Sequence, residues 1–133
     1  MISTNKTIGI DIKPLLSTLW IFVLFNIIFR DIHDLFRPGF LEEMMTGIVN
    51  GNQITDEVLL MGGIIMEIPI SMVLLSRILN YRLNRWANIF AGGISIAVVI
   101  SNGTKDLDDI FFVIVEVISL LLIVFLAWKW QKQ

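Results

Sequence analysis

Four long runs of apolar residues constrain this chain more than any other feature of its 133 residues. Each run approaches the roughly 20 residues that a helix needs to cross a bilayer core about 30 Å thick. Hydrophobic residues make up 56% of the chain, and a water-soluble protein of this size has too little interior to bury so much apolar surface. The sequence therefore predicts an all-α polytopic membrane protein, a single domain over residues 1–133. Its antiparallel bundle has four transmembrane helices at about 14–37, 58–79, 83–101 and 110–130.

The one long connection between the predicted helices is a loop over residues 39–57, expected on the outer side of the membrane. Within it, residues 40–45 are typical of a short amphipathic helix on the membrane surface. Asn50-Gly51-Asn52 indicates a turn. Thr55 is expected to cap the second helix, and Asp106 the fourth, because both residue types accept hydrogen bonds from the free N–H groups of a first turn.

The placement of basic residues predicts the orientation. Four spans put both termini and the 80–84 connection on one side, which carries seven of the ten lysines and arginines. Because cytoplasmic segments are enriched in these residues, we expect both termini in the cytoplasm. The four tryptophans lie toward the same side, as in an aromatic belt: Trp20, Trp86, Trp128 and Trp130.

Composition excludes several kinds of site. The chain has no cysteine and one histidine, so disulfides, thiolate metal sites, His-Glu-x-x-His zinc sites and paired Glu-x-x-His di-iron sites cannot form. The net charge of −2 argues against a nucleic-acid partner, which would require a clustered basic surface. We therefore expect no metal, no cofactor and no catalytic residues of a known type, and the lipid bilayer as the main partner.

A few polar residues lie inside the predicted spans, where facing lipid would cost several kcal/mol. On the first helix, Asn26, Arg30 and His33 share one face at 100° per residue. Glu67 lies near the middle of the second helix beside a proline, and Glu116 lies in the outer half of the fourth. Matching depths make Arg30 a natural partner for Glu116 and a candidate partner for Glu67.

The third and fourth helices also have a polar or small-residue face. On the third helix, Asn88, Gly92 and Ser95 lie on one side, where small residues permit close packing. On the fourth, Asp109 and Ser119 lie on the same side as Glu116. We expect the four faces to form one bundle interior.

Three interpretations of these charges remain open. The basic residues of the first helix could extend to the outer headgroups, the contacts between Arg30 and carboxylates could only fix the helix order, or the cluster could be a ligand or proton site. In the third case, an outward-opening cavity lined by Asn26, Arg30, His33, Glu67 and Glu116 would bind or transport a small polar solute or protons. Glu67 would be its titrating group.

The alternative function is that of a structural or accessory subunit, whose buried ion pairs only stabilise the bundle and whose outer loop docks a membrane protein partner. A transport path would require homo-oligomers. An enzyme has the least support, because the chain shows no nucleophile-plus-base motif, phosphate-binding loop or metal-ligand spacing.

Several segments resemble a family of small bacterial four-helix membrane proteins classed as a domain of unknown function. They are Phe29-Arg30-Asp31-Ile32-His33-Asp34, Glu67-Ile68-Pro69-Ile70, Asn84-Arg85-Trp86-Ala87-Asn88 and Asp108-Asp109-Ile110-Phe111-Phe112 with Glu116. The resemblance covers nearly the whole chain. It implies an inner (plasma) membrane location and no assigned activity. The architecture is also similar to that of DoxX-like proteins, some linked to quinone or thiol redox systems; the absence of cysteine weakens the thiol part.

Overall fold

Four helices long and apolar enough to cross a membrane dominate the computed structural model, which describes residues 11–132. In chain order the elements are α1 (Ile12–Leu35), α2 (Phe40–Met45), β1 (Ile48–Val49), β2 (Asn52–Gln53), α3 (Asp56–Ile78), α4 (Tyr81–Ser101) and α5 (Leu107–Lys129). The predicted all-α class with four spanning helices is confirmed, and each predicted helix end lies within three residues of the observed one.

Side-chain caps define where three of the long helices begin. Thr55 Oγ1 accepts a hydrogen bond from the backbone N–H of Val58, which confirms the predicted cap of α3. Asp106 accepts from the backbone N–H of Asp109 at the start of α5, as predicted. Asn80 has the same role for α4. These caps satisfy N–H groups that have no partner within a first helical turn.

The long helices pack in a ring. α1 contacts α3 and α5, and α4 contacts the same two helices on the opposite side. We call the end of the bundle that holds the connections 36–55 and 102–106 the loop end. The opposite end, with residues 11 and 132 and the connection between α3 and α4, is the terminal end. Large apolar side chains cover the outer surface of the ring, as expected for a protein whose solvent is hydrocarbon.

A small hairpin occupies the loop end between α2 and α3. Strands β1 and β2 pair antiparallel, with Val49 opposite Asn52. The two residues between them, Asn50 and Gly51, both have positive φ angles (53° and 77°), which a two-residue type I′ turn requires. The predicted turn and the predicted helix at 40–45 are therefore both present.

A polar network fills the interior of the terminal half. Asn88 Oδ1 accepts hydrogen bonds from Trp20 Nε1 (2.7 Å) and Ser76 Oγ (3.2 Å). Its amide nitrogen donates to the backbone and side-chain oxygens of Asn84, whose own amide donates to the carbonyl of Ser76. Three helices are joined in this way. Trp20 is fully buried, so the expectation that it belongs to an aromatic belt was wrong: its N–H is used inside the bundle.

Helices α4 and α5 approach closely at Gly92. A Cβ atom built on this glycine would lie 2.6 Å from Val124 Cγ2, whereas one on the neighbouring Gly93 would meet no atom within 4 Å. The β-branched Val124 side chain has few alternative rotamers in a helix. The contact therefore depends on the absence of a side chain at Gly92.

We predict that Gly92→Ala destabilises the protein by about 1–3 kcal/mol, the range typical of an overpacked core. Unfolding in detergent, followed by circular dichroism, measures the effect. Gly93→Ala is the matched control and should be neutral or slightly stabilising, because alanine favours a helix more than glycine does. Equal stabilities of the two variants would contradict the close α4–α5 contact.

Candidate functional site

The guanidinium group of Arg30 joins α1 to α5 near the loop end. Its Nε donates to Asp109 Oδ1 at 3.2 Å, its Nη2 donates to the carbonyl of Gly103 at 2.7 Å, and its Nη1 lies 3.8 Å from Glu116 Oε1. The side chains of Asp109 and Glu116 are 3% and 1% exposed. Arg30 thus lies between two buried carboxylates, which are seven residues (about two helical turns) apart on α5.

Arg37 forms a second layer of ion pairs closer to the loop-end surface. Its Nε donates to Asp106 Oδ2 at 3.0 Å, and its Nη2 pairs with Asp34 and lies 3.5 Å from Asp109 Oδ2. Partial burial opposes the charged form of Arg37, but the surrounding carboxylates outweigh it and raise its pKa above the ordinary value. Arg37 therefore keeps its charge.

A cavity of about 310 Å³ lies beside Arg30 and opens toward the loop end. Its apolar wall comes from Ile27, Met66, Val98 and Val99. Its charged wall contains two bases and four acids: Arg30, Lys105, Asp31, Asp34, Asp109 and Glu116. Asn50, at the turn of the hairpin, and Asn102 complete the lining. The loop-end cavity is thus a mixed site with an excess of acidic groups.

Glu116 has one buried oxygen, Oε2, without a polar partner. Its Oε1 faces Arg30, but Oε2 is buried and accepts no hydrogen bond from the part of the chain that the structure describes. A buried acceptor left unpaired costs about 1–3 kcal/mol, and more when the group is charged. Glu116 lines the loop-end cavity. A group that enters the cavity and donates a hydrogen bond or positive charge would therefore be stabilised there.

The structure brings some of the predicted site residues together and separates others. Arg30 and Glu116 meet, as their depths suggested. His33 lies at the loop-end surface, half exposed, with Nδ1 3.6 Å from Asp108 Oδ2 and its ring against the edge of Phe112. Asn26 donates to the carbonyl of Phe22 on its own helix. Neither Asn26 nor His33 lines the loop-end cavity.

Glu67 does not face the interior, so its expected contact with Arg30 was wrong. The buried residues of α3 are Pro69, Met72 and Ser76, and Glu67 is exposed. Two residues correspond to about 200° around a helix, which turns Glu67 to the side opposite Pro69. Gly63, one turn before Glu67, is exposed as well, so this side of α3 is its outer face.

Asp109 was not among the predicted site residues, although the sequence placed it on the same face of α5 as Glu116. Its two oxygens contact Arg30, Arg37 and the backbone N–H of Lys105. The spacing of seven residues puts both carboxylates on one helix face, and this was the signal that Arg30 could contact Asp109 as well as Glu116.

The carboxylates of Asp106, Asp108 and Asp109 come within 4.8 Å of one another, a spacing that could in principle suit a metal ion. However, the oxygens of Asp109 are already used by two arginines and a backbone N–H, and Asp106 is used by Arg37. The arrangement is that of an arginine-bridged helix N-terminus.

We predict that Arg30→Met destabilises the bundle by about 3–5 kcal/mol, because the change leaves two buried carboxylates without their main cation. His33→Gln is the control and should change stability by less than about 0.5 kcal/mol, since His33 is half exposed. Unfolding in detergent at neutral pH measures both. Similar effects of the two changes would contradict the central role of Arg30.

We also predict that the loop end loosens in acid. A hydrogen bond with Asp108 lowers the pKa of Asp106, and the backbone N–H of Asp109 and the charge of Arg37 lower it further. A carboxyl with a lowered pKa in the folded state stabilises the protein above its unfolded pKa of about 3.9, and loses this effect as the pH falls through the folded value.

The expected result is therefore a melting temperature that declines as the pH falls below about 4. In Asp106→Asn the decline should be smaller, because asparagine keeps the cap but cannot titrate. Identical pH profiles of the wild type and this variant would contradict the assignment.

Comparison with known proteins identifies the chain at the level of the family. No curated protein and no solved structure matches it. A family of unknown function, DUF6326, matches residues 9–133, which confirms the resemblance to an uncharacterised family. With four helices of spanning length and composition, the chain is a multi-pass membrane protein, and it belongs to the family of unknown function DUF6326.

Proposed function

We propose that this protein binds a small solute carrying an amino group in its loop-end cavity, with the ammonium group against Glu116. The observation that carries the proposal is the Oε2 atom of Glu116, a buried acceptor without a hydrogen bond in the described chain, on the wall of a cavity. An ammonium group has three hydrogen-bond donors and one positive charge. It would therefore supply the donor and the counter-charge that Oε2 has no other source of in the described chain.

The charge of the cavity supports a cation. Four acids and two bases line it, so its formal charge is −2 when every group is ionised. Asp31, exposed at the loop end, makes no hydrogen bond or ion pair within the described chain. Asp31 and the free oxygen of Glu116 therefore offer two negative positions for a ligand.

The opposite version, with Arg30 holding an anion, has less support. Two of its nitrogens already donate to Asp109 and Gly103, and the third lies near Glu116. An anion would have to compete with two carboxylates for this guanidinium group, and it would enter a cavity of like charge. A cationic ligand meets neither difficulty.

The size of the cavity supports an organic ligand. About 310 Å³ is at the lower end of the range for small-molecule sites, and it far exceeds the roughly 30 Å³ that one water molecule occupies in the liquid. A bare ion would leave most of the space to water. The apolar wall of Ile27, Met66, Val98 and Val99 suits the carbon skeleton of a short amine.

The expected topology gives this binding a direction. If both termini are cytoplasmic, as the basic residues indicate, the cavity opens to the outside of an inner or plasma membrane. The protein would then capture its solute from the external side. Uptake or proton-coupled exchange would be a further step, in which Glu116 exchanges the ammonium group for a proton.

We predict that the purified protein in nanodiscs binds methylammonium or ethanolamine, and that Glu116→Gln weakens binding by at least about tenfold, because a buried charge partner is lost. Isothermal titration calorimetry measures the affinity. Glu57→Gln is the matched control, because Glu57 is an exposed acid on α3 that does not line the cavity. It should bind as the wild type does.

Two results would contradict the proposal: equal binding by the wild type and Glu116→Gln, or tighter binding of acetate than of methylammonium. If no amine binds but the wild type alone exchanges protons across liposomes, the ligand is the proton. Measurements with sodium and potassium chloride separate organic cations from simple ions.

A second candidate function is that of an accessory subunit that docks a partner protein. A different feature of the loop end supports it. Helix α2 exposes Leu41, Met44 and Met45, the last at 83%, and such an apolar patch suits a membrane surface or a partner protein. In this role, Glu116→Gln would alter stability alone, whereas changes in α2 would abolish association without unfolding the bundle.

A further inference from the structure

The side chain of Glu67 is an ionisable group on the outer surface of the bundle. It stands at the centre of α3, with eleven residues of the helix before it and eleven after it. It is exposed, and no hydrogen bond or ion pair joins it to the described part of the chain. A carboxyl group that faces hydrocarbon at mid-depth costs several kcal/mol, so such residues normally contact protein.

The residues around Glu67 follow the spacing of a helix–helix contact. Along the outer face of α3, one row of residues alternates steps of three and four: Leu60, Gly63, Glu67, Ile70 and Leu74. All five are exposed. This is the a/d pattern of a left-handed helix pair, and it lies opposite the buried row of Pro69, Met72 and Ser76. Helix α3 thus has a second packing face that no other described element covers.

Gly63 makes close approach possible at this face. It lies one turn from Glu67, and a Cβ atom built on it would meet no atom within 4 Å. Helices in membranes associate through small residues that let the backbones approach and through hydrogen bonds between polar side chains. Gly63 is such a small residue, and Glu67 is such a polar side chain.

We propose that the outer face of α3 pairs with α3 of a second copy of this chain, with the two Glu67 side chains hydrogen-bonded to each other. Copies inserted with the same topology have parallel α3 helices, and a two-fold axis along the membrane normal places each residue opposite itself. Glu67 then meets Glu67 at the same depth. A protonated carboxyl donates and accepts, so the pair satisfies itself.

No described lysine or arginine could pair with Glu67 from another face of a second copy. Apart from Arg30, every described lysine and arginine lies in a connection or within the first or last five residues of a helix. Arg30 is inside the bundle and bound to Asp109. Self-pairing of the carboxyl groups is therefore the arrangement that this chain can supply at mid-depth. This inference does not depend on the ligand proposed for the loop-end cavity.

The absence of native cysteine allows a direct test by single-cysteine cross-linking of the full chain in liposomes. Gly63→Cys should form a disulfide-linked dimer rapidly under mild oxidation. Gly93→Cys is the matched control, since Gly93 is also an exposed helical glycine with open space above it, but it lies on α4. It should cross-link only at the rate of random collision. Equal yields at the two positions would overturn the proposal.

Changes at Glu67 test the carboxyl pair itself. In the Gly63→Cys background, Glu67→Leu should lower the dimer yield at low protein density by about threefold or more, as expected for the loss of a hydrogen bond between membrane helices. Glu67→Gln should retain most of it, because two amides also donate to and accept from each other.

An unchanged yield in Glu67→Leu would overturn the role of Glu67 in the contact. An equal loss in both variants would overturn self-pairing and indicate that Glu67 contacts a cationic group of a different partner instead. Binding of methylammonium by a monomeric Glu67→Leu variant would show that the two proposals stand separately.

Discussion

The interior of a bilayer offers no hydrogen-bonding partner, so a polar group in these four helices is stabilised only where the protein supplies one. The contact of Arg30 with Asp109 and Glu116 is the clearest consequence of this requirement. It joins the first and last long helices and thereby closes the ring in which each helix contacts two neighbours. The register between α1 and α5 is fixed by charge, whereas that between α4 and α5 depends on the close contact at Gly92.

The two halves of the bundle meet the same requirement differently. In the terminal half, Trp20, Ser76, Asn84 and Asn88 exchange hydrogen bonds among themselves, and all four side chains are uncharged. In the loop half, carboxylates outnumber the arginines between them, and one oxygen of Glu116 remains unpaired beside a cavity. A fully paired polar core specifies one arrangement, whereas an incompletely paired one carries an energetic cost.

The class of fold and the position of each helix followed from the sequence, because hydropathy over twenty residues is a strong signal in a membrane protein. The contact between Arg30 and Glu116 also followed, from depth and facing. The direction of Glu67 did not. Its polarity was taken to mean that it points inward, whereas the row of Pro69 and Met72 faces the core. Because the row with Glu67 and the row with Pro69 both follow helical spacing, periodicity alone does not decide which of them is internal.

The unequal division of hydrogen bonds also limits how the molecule can move. Separating the helices at the terminal end would break the hydrogen-bond network of Asn84 and Asn88, which joins three of them. We therefore expect that end to stay closed. The helices at the loop end are held by long, flexible arginine side chains, which can follow a carboxylate through a small displacement without losing it. We therefore expect the helices to separate more easily at the loop end than at the terminal end, and any passage through the terminal half would have to leave the Asn84–Asn88 network intact.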